Sequence, residues 1–187
     1  MHWVQALVAP NQVLVDLKAR FPSAAVCPLP QGFSLVPITE SFAAALQPLA
    51  AEDPVPPLVD EIEPGVSALG CALSAGSIVV YVATFMHGGT GGQDALVWKN
   101  GELILKLCEG EGNRSRWPDS SISRALRFAG VVAGKGEDEF DALSLGTHRS
   151  NEEWADGEGP VLAGNDTGEP KEVTKQTQSR PWWRRWR

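Results

Sequence analysis

The densest run of residues able to do chemistry is His87-Gly88-Gly89-Thr90-Gly91-Gly92-Gln93, with four glycines in five positions. Histidine is the side chain whose ordinary pKa suits it to proton transfer, and Thr90 and Gln93 are close enough in sequence to orient it or a ligand. A phosphate cradle needs more: the glycines must lead from a strand into a helix that opens with Lys and Ser/Thr, so that backbone amides and the helix dipole meet the anion. Here the glycines lead instead into "QDALVWK", an alternating run that suits a strand. The sequence therefore predicts no nucleotide cradle but a long hairpin loop, a place where contacts are commonly set. His87, Thr90 and Gln93 are its contact candidates. An enzyme or small-ligand binder using residues 87 to 93, with His87 as base or donor, is the alternative function. It lacks a nucleophile motif such as GxSxG, so no catalytic residue is assigned.

The other histidines, His2 and His148, stand far from His87 in sequence and show no ligand spacing. Cys27, Cys71 and Cys108 are odd in number and widely spaced, which argues against a zinc site and a disulfide framework. Each is expected to pack as a small apolar side chain. Neither a metal nor a cofactor is expected.

Charge is unevenly placed. Residues 171 to 187 hold six Lys/Arg against one acid, a net of +5, which leaves −12 on residues 1 to 170. A body that acidic repels nucleic acid and attracts basic partners. Its acids cluster in "DEIEP" (Asp60, Glu61, Glu63), in "CEGEG" (Glu109, Glu111) and in "GEDEFDALSLG". In the last, Glu137, Asp138, Glu139 and Asp141 alternate with Phe140, Leu143 and Leu145. That is either a solvated amphipathic helix or an acidic recognition surface around apolar anchors. The end of the chain, "RPWWRRWR", interleaves Trp182, Trp183 and Trp186 with Arg184, Arg185 and their neighbours. Its composition suits membrane interfaces, single-stranded nucleic acid, or docking onto the acidic body by charge and cation–π contacts.

The elements that must position these residues can be read from periodicity. "HWVQALVA" reads as a strand with Trp3 as anchor, and "NQVLVDLKARF" as a helix capped by Asn11. "AAVCPLPQGFSLVPIT" reads as an irregular edge strand, and "TESFAAALQPL" as a helix capped by Thr39. After a proline-rich connector, "VSALGCALS", "IVVYVATFM", "QDALVWK" and "ELILKL" alternate as four strands. Asn100-Gly101 supplies the positive φ of a tight hairpin. Helices are expected from about Ser120 ("SISRALRFAGV"), in the acidic segment, and after Ser150, where Glu153 completes a capping box. The fold class is α+β: one antiparallel sheet, with a meander at 66–108 and helices packed on one face. Residues 1–155 form the domain. Residues 156–187, poor in apolar side chains before the Trp/Arg end, form a flexible tail. No apolar run approaches the length of a membrane span, and "MHWVQALVAPNQ" lacks a basic n-region, so a cytoplasmic location is expected.

The series "GGTGGQ", "ALVWKNG", "ISRALRFAGV" (Ile122 to Val131) and "DEFDALSLGTHR" (Asp138 to Arg149) resembles a pattern in small, acidic bacterial proteins of uncharacterised function. In those proteins a "GGxGxQ" loop and a hairpin precede an "INxALxxxGV" helix and a "DEFDxLGLxxxR" segment. The resemblance spans roughly residues 78 to 154. Such proteins are similar in kind to the immunity proteins of bacterial toxin systems. That analogy implies a non-enzymatic partner binder whose cognate toxin is basic around its active site, with membrane or nucleic-acid contact by the tail as a further possibility.

Overall fold

A computed structural model describes residues 2–53, 62–87, 90–108 and 118–157, with only the backbone of His87 and Thr90. Six strands form one antiparallel sheet: β1 (His2–Pro10), β2 (Cys27–Pro28), β3 (Phe33–Pro37), β4 (Ile78–His87), β5 (Thr90–Lys99) and β6 (Glu102–Cys108). Their spatial order is β2-β3-β1-β4-β5-β6. The α+β class and the single antiparallel sheet expected from the sequence are both present. The strands from β4 to β6 form the meander, and Asn100 and Gly101 both take positive φ (55° and 82°) at its second turn.

Two expectations are corrected. Residues 66 to 73 are not a strand but a helix, α4 (Val66–Leu73). Val66, Leu69 and Leu73 stand at helical spacing while Leu69, Cys71 and Leu73 alternate, and a short apolar run cannot separate the two periods. The preceding Gly65 lies in the left-handed region (φ 86°) and offers no capping side chain. The first-turn amides are met from a distance: Asp53 accepts hydrogen bonds from the Gly65 and Ala68 amides, the latter at 2.8 Å.

Second, helices stand on both faces of the sheet. On one face Val80, Val82, Ala95 and Val97 pack under α5 (Ser121–Phe128), α6 (Glu139–Ala142) and α7 (Asn151–Asp156). On the other, Leu7, Val79, Tyr81, Leu96 and Trp98 pack under α3 (Glu40–Leu46) and α4, with α1 (Asn11–Leu14) and α2 (Leu17–Arg20) alongside. The cause is visible in "IVVYV": apolar residues at both parities demand cover on both faces. Burying a side chain as large as Trp98 contributes roughly 3 kcal/mol, and Gly70 of α4 lies directly on its indole.

Local signals hold elsewhere. Thr39, Ser120, Asp138 and Ser150 each accept a hydrogen bond from the amide three residues on, at the starts of α3, α5, α6 and α7. A cap of this kind contributes about 1 kcal/mol. The helix expected after Pro10 breaks at Val15 and Asp16, and Asn11 is its first residue rather than its cap. Of the three cysteines, Cys27 is buried, Cys71 half-buried and Cys108 exposed, so the expectation that all three pack inside fails for Cys108.

Candidate functional site

The glycine run is not a long loop. β4 continues to His87 and β5 begins at Thr90, the two residues being paired across the strands, so Gly91 and Gly92 belong to β5. A Cβ at Gly91 would come within 2.5 Å of the Phe85 carbonyl oxygen, which explains that glycine as a close approach of backbone. No helix comes after it, as the missing Lys-Ser/Thr pair leads one to expect. Gln93 pairs with Thr84 on the face covered by α5, and its Oε1 is buried. The His87 and Thr90 side chains lie outside the described residues, as do Asp60, Glu61, Glu109, Glu111 and the tail residues Trp182, Trp183, Arg184, Arg185 and Trp186.

The acidic segment is tied inward. Glu139 is 4% exposed and holds Arg127 of α5 with both oxygens, at 2.6 and 3.0 Å. Arg127 also reaches Asp119 at 3.0 Å, and these hydrogen bonds, Glu139's foremost, hold the guanidinium more firmly protonated than usual. Asp138, also buried, caps α6 by accepting from the Asp141 amide, and burial pushes its carboxyl above the ordinary range. Glu137 accepts from the Gly134 amide at 2.7 Å. Of the four acids expected to form a recognition face, Glu139 thus ties α6 to α5 and Asp138 caps α6, and only Glu137 and Asp141 remain half-exposed.

The open surface lies where the sheet outruns its helical cover. On the face carrying α3 and α4, successive cross-strand rows run Val79–Trp98, then Leu7–Tyr81–Leu96, then Gln5–Ala83–Asp94, then Trp3–Phe85–Gly92. The first two rows are buried. In the last, Trp3 is 45% and Phe85 47% exposed. Gly92 has no side chain to cover the Phe85 ring on its far side, and Trp3 flanks the near side. Trp3 is therefore not the interior anchor that its strand suggested. Together the two rings form an aromatic ledge.

Beside the ledge is a groove of about 500 Å³ lined by Trp3, Gln5, Ile38, Glu40, Ala43, Ile62, Glu63 and Asn151. Among the described residues its lining carries two carboxylates and no cation. Its floor is pinned by Asn151 at the start of α7, whose Oδ1 accepts from the Gln5 amide at 2.8 Å and whose Nδ2 donates to the Ile38 carbonyl at 2.6 Å. The Trp3 amide donates to the Arg149 carbonyl at 2.9 Å, and Ser150 bridges to Trp3. So α7 fixes the strand end that bears the ledge, and Glu153 secures α7 by accepting from the Arg149 amide at 2.7 Å.

Behind Trp3, on the opposite face, His2 is buried against the main chain at His148. The His148 ring meets Trp154 edge-on, with centroids 4.8 Å apart. Burial drives the His2 pKa down from 6.5 to about 4. Among the described residues no group of three His, Cys, Asp or Glu could hold a metal ion, and no helix is long and apolar enough to cross a membrane. Sequence reading had no means of finding the ledge, because only the register places Trp3 beside Phe85 and only tertiary packing leaves them bare. Compared with known proteins, the chain matches no protein-family model, no curated protein and no solved structure.

Proposed function

We propose that this protein is a binding protein of the immunity type, which neutralises a bacterial toxin by seating the Trp3–Phe85 ledge and its flanking carboxylates against a basic surface around the toxin's active site. The observation that carries the reading is the ledge itself. Two large aromatic side chains stand half-exposed side by side on the sheet, next to a groove whose charged lining residues, among those described, are Glu40 and Glu63. Exposed aromatic anchors in a desolvatable patch with a polar rim are the usual energetic centre of an interface. The −12 body supplies long-range attraction for a basic partner. The resemblance to small acidic bacterial proteins points to the same class.

The contact surface in this reading moves from the acidic segment at 137–141 to the ledge, since Asp138 and Glu139 have partners of their own. The glycine-loop alternative has less support, because Gly91 and Gly92 lie in β5.

The test is capture from the source cells with full-length protein, compared with Trp3→Ala/Phe85→Ala and with Glu40→Lys/Glu63→Lys. Truncating a pair of interface anchors should weaken binding at least tenfold. A basic protein retained by the wild type, lost by both variants, and rendered harmless when the two are co-expressed supports the reading. No retained protein, or one held equally by all three forms, refutes it.

A further inference from the structure

The groove has a candidate occupant within the same chain. From the groove geometry, we infer that the C-terminal segment Arg180-Pro-Trp-Trp-Arg-Arg-Trp-Arg187 docks against the ledge and groove, with arginines on Glu40 and Glu63 and indole rings against Trp3 and Phe85. Such docking is independent of whether the protein neutralises a toxin.

Three observations carry it. The first is charge: among the described residues the groove lining holds Glu40 and Glu63 and no cation, while residues 180 to 187 hold four arginines and no acid. The guanidinium is the cation best matched to carboxylates and to aromatic faces, since it pairs in a plane with the first and stacks on the second. The second is shape and chemistry. The ledge presents two aromatic faces with apolar Ile38, Ala43 and Ile62 behind them, and the segment presents three indoles, so aromatic stacking and apolar burial add to the ion pairs.

The third is reach. Asn151, the first residue of α7, is itself part of the groove wall. α7 ends at Asp156, so the described chain stops at Gly157 roughly 10 Å from that wall, at 1.5 Å per helical residue. Twenty-four residues separate Gly157 from Trp182, and a coiled chain of that length spans about 25–30 Å. The segment therefore reaches the groove without straightening. Its tethering also raises its effective concentration there to the millimolar range, so contacts too weak to hold a free octapeptide suffice. Any basic partner of the ledge must displace it, which would make the tail a built-in competitor.

The experiment uses full-length protein labelled with 5-fluorotryptophan, whose seven tryptophans give separate fluorine resonances assigned by single Trp→Phe variants. Docking predicts that the Trp3 resonance and at least one of Trp182, Trp183 and Trp186 move when Arg184, Arg185 and Arg187 are replaced by Gln. The same signals should move in Glu40→Lys/Glu63→Lys, and in about 0.5 M salt, where the Debye length falls to about 4 Å. Buried Trp98 and Trp154 report in each case that the fold is intact. A Trp3 resonance identical in the wild type and the arginine variant overturns the inference. Shifts that vanish on dilution also overturn it, by assigning the groove to the tail of a second copy. Partner capture is a separate readout, so failure of docking leaves the toxin reading standing, and the converse.

Discussion

Stability between about pH 7.5 and pH 5 should depend on His2. Its ring sits at the start of β1, 3% exposed, and burial holds its pKa near 4 against an ordinary 6.5. The polar main chain at His148 and the Glu153 carboxylate work the other way, and Arg149 adds to the depression. The unfolded chain takes up the proton near pH 6.5, whereas the folded chain resists until about pH 4. Stability is therefore complete above pH 6.5 and drains as pH falls between those values. With each unit worth about 1.4 kcal/mol, the loss is about 2 kcal/mol by pH 5 and approaches 3 kcal/mol near pH 4. Urea unfolding of the wild type and of His2→Gln at about pH 7.5, 6 and 5 reads this directly. For a slope of about 2 kcal/mol/M, the wild-type midpoint should drop by about 1 M between the first and last, and the variant's by far less. His87 and His148 are unchanged in the variant, so the difference between the two profiles belongs to position 2. Parallel profiles would refute the reasoning, because they would mean that folded His2 takes up its proton as freely as the unfolded chain does. His2→Phe should flatten the profile in the same way, which separates loss of titration from loss of packing.

The packing sets three further outcomes. Asn151→Ala leaves the Gln5 amide and the Ile38 carbonyl without their partner, and should cost about 2–3 kcal/mol in thermal or urea unfolding and loosen the ledge. Asp53→Ala removes the remote cap of α4 and should cost about 1–2 kcal/mol, with faster amide hydrogen exchange confined to residues 65–70 as its signature. Gly70→Ala sets two effects against each other. Alanine gains about 1 kcal/mol of helix propensity, but its Cβ would lie 2.7–2.9 Å from three atoms of the fully buried Trp98 ring. Overpacking of about 1–3 kcal/mol should win, giving a net loss of about 1 kcal/mol in urea unfolding, and a stabilised variant would show that α4 can lift off the sheet.

Much of this molecule could be read from short-range chemistry. Asn100-Gly101 took the positive φ pair that a tight hairpin demands, because few other dipeptides tolerate it. Thr39, Ser120 and Ser150 cap the helices that their hydroxyls foretold, since a cap is satisfied within three residues of itself. The apolar run in "IVVYVATFM" marked β4 as a strand. In each case the deciding interaction lies within a few positions along the chain.

What sequence could not decide depended on residues far apart. Residues 66 to 73 carry a pattern that fits either period, and helix won through Asp53 below them and the Trp98 ring beneath Gly70. Glu139 looked like surface charge until α5 brought Arg127 to it and buried the pair's acidic half. Trp3 looked like core, yet the helical layer stops one row short of it and leaves it beside Phe85 in the open. Local propensity specified the strands, turns and caps because their energies are local. Which carboxylate is free and which aromatic ring is bare were fixed only when the chain closed on itself, because exposure is a property of what packs on top.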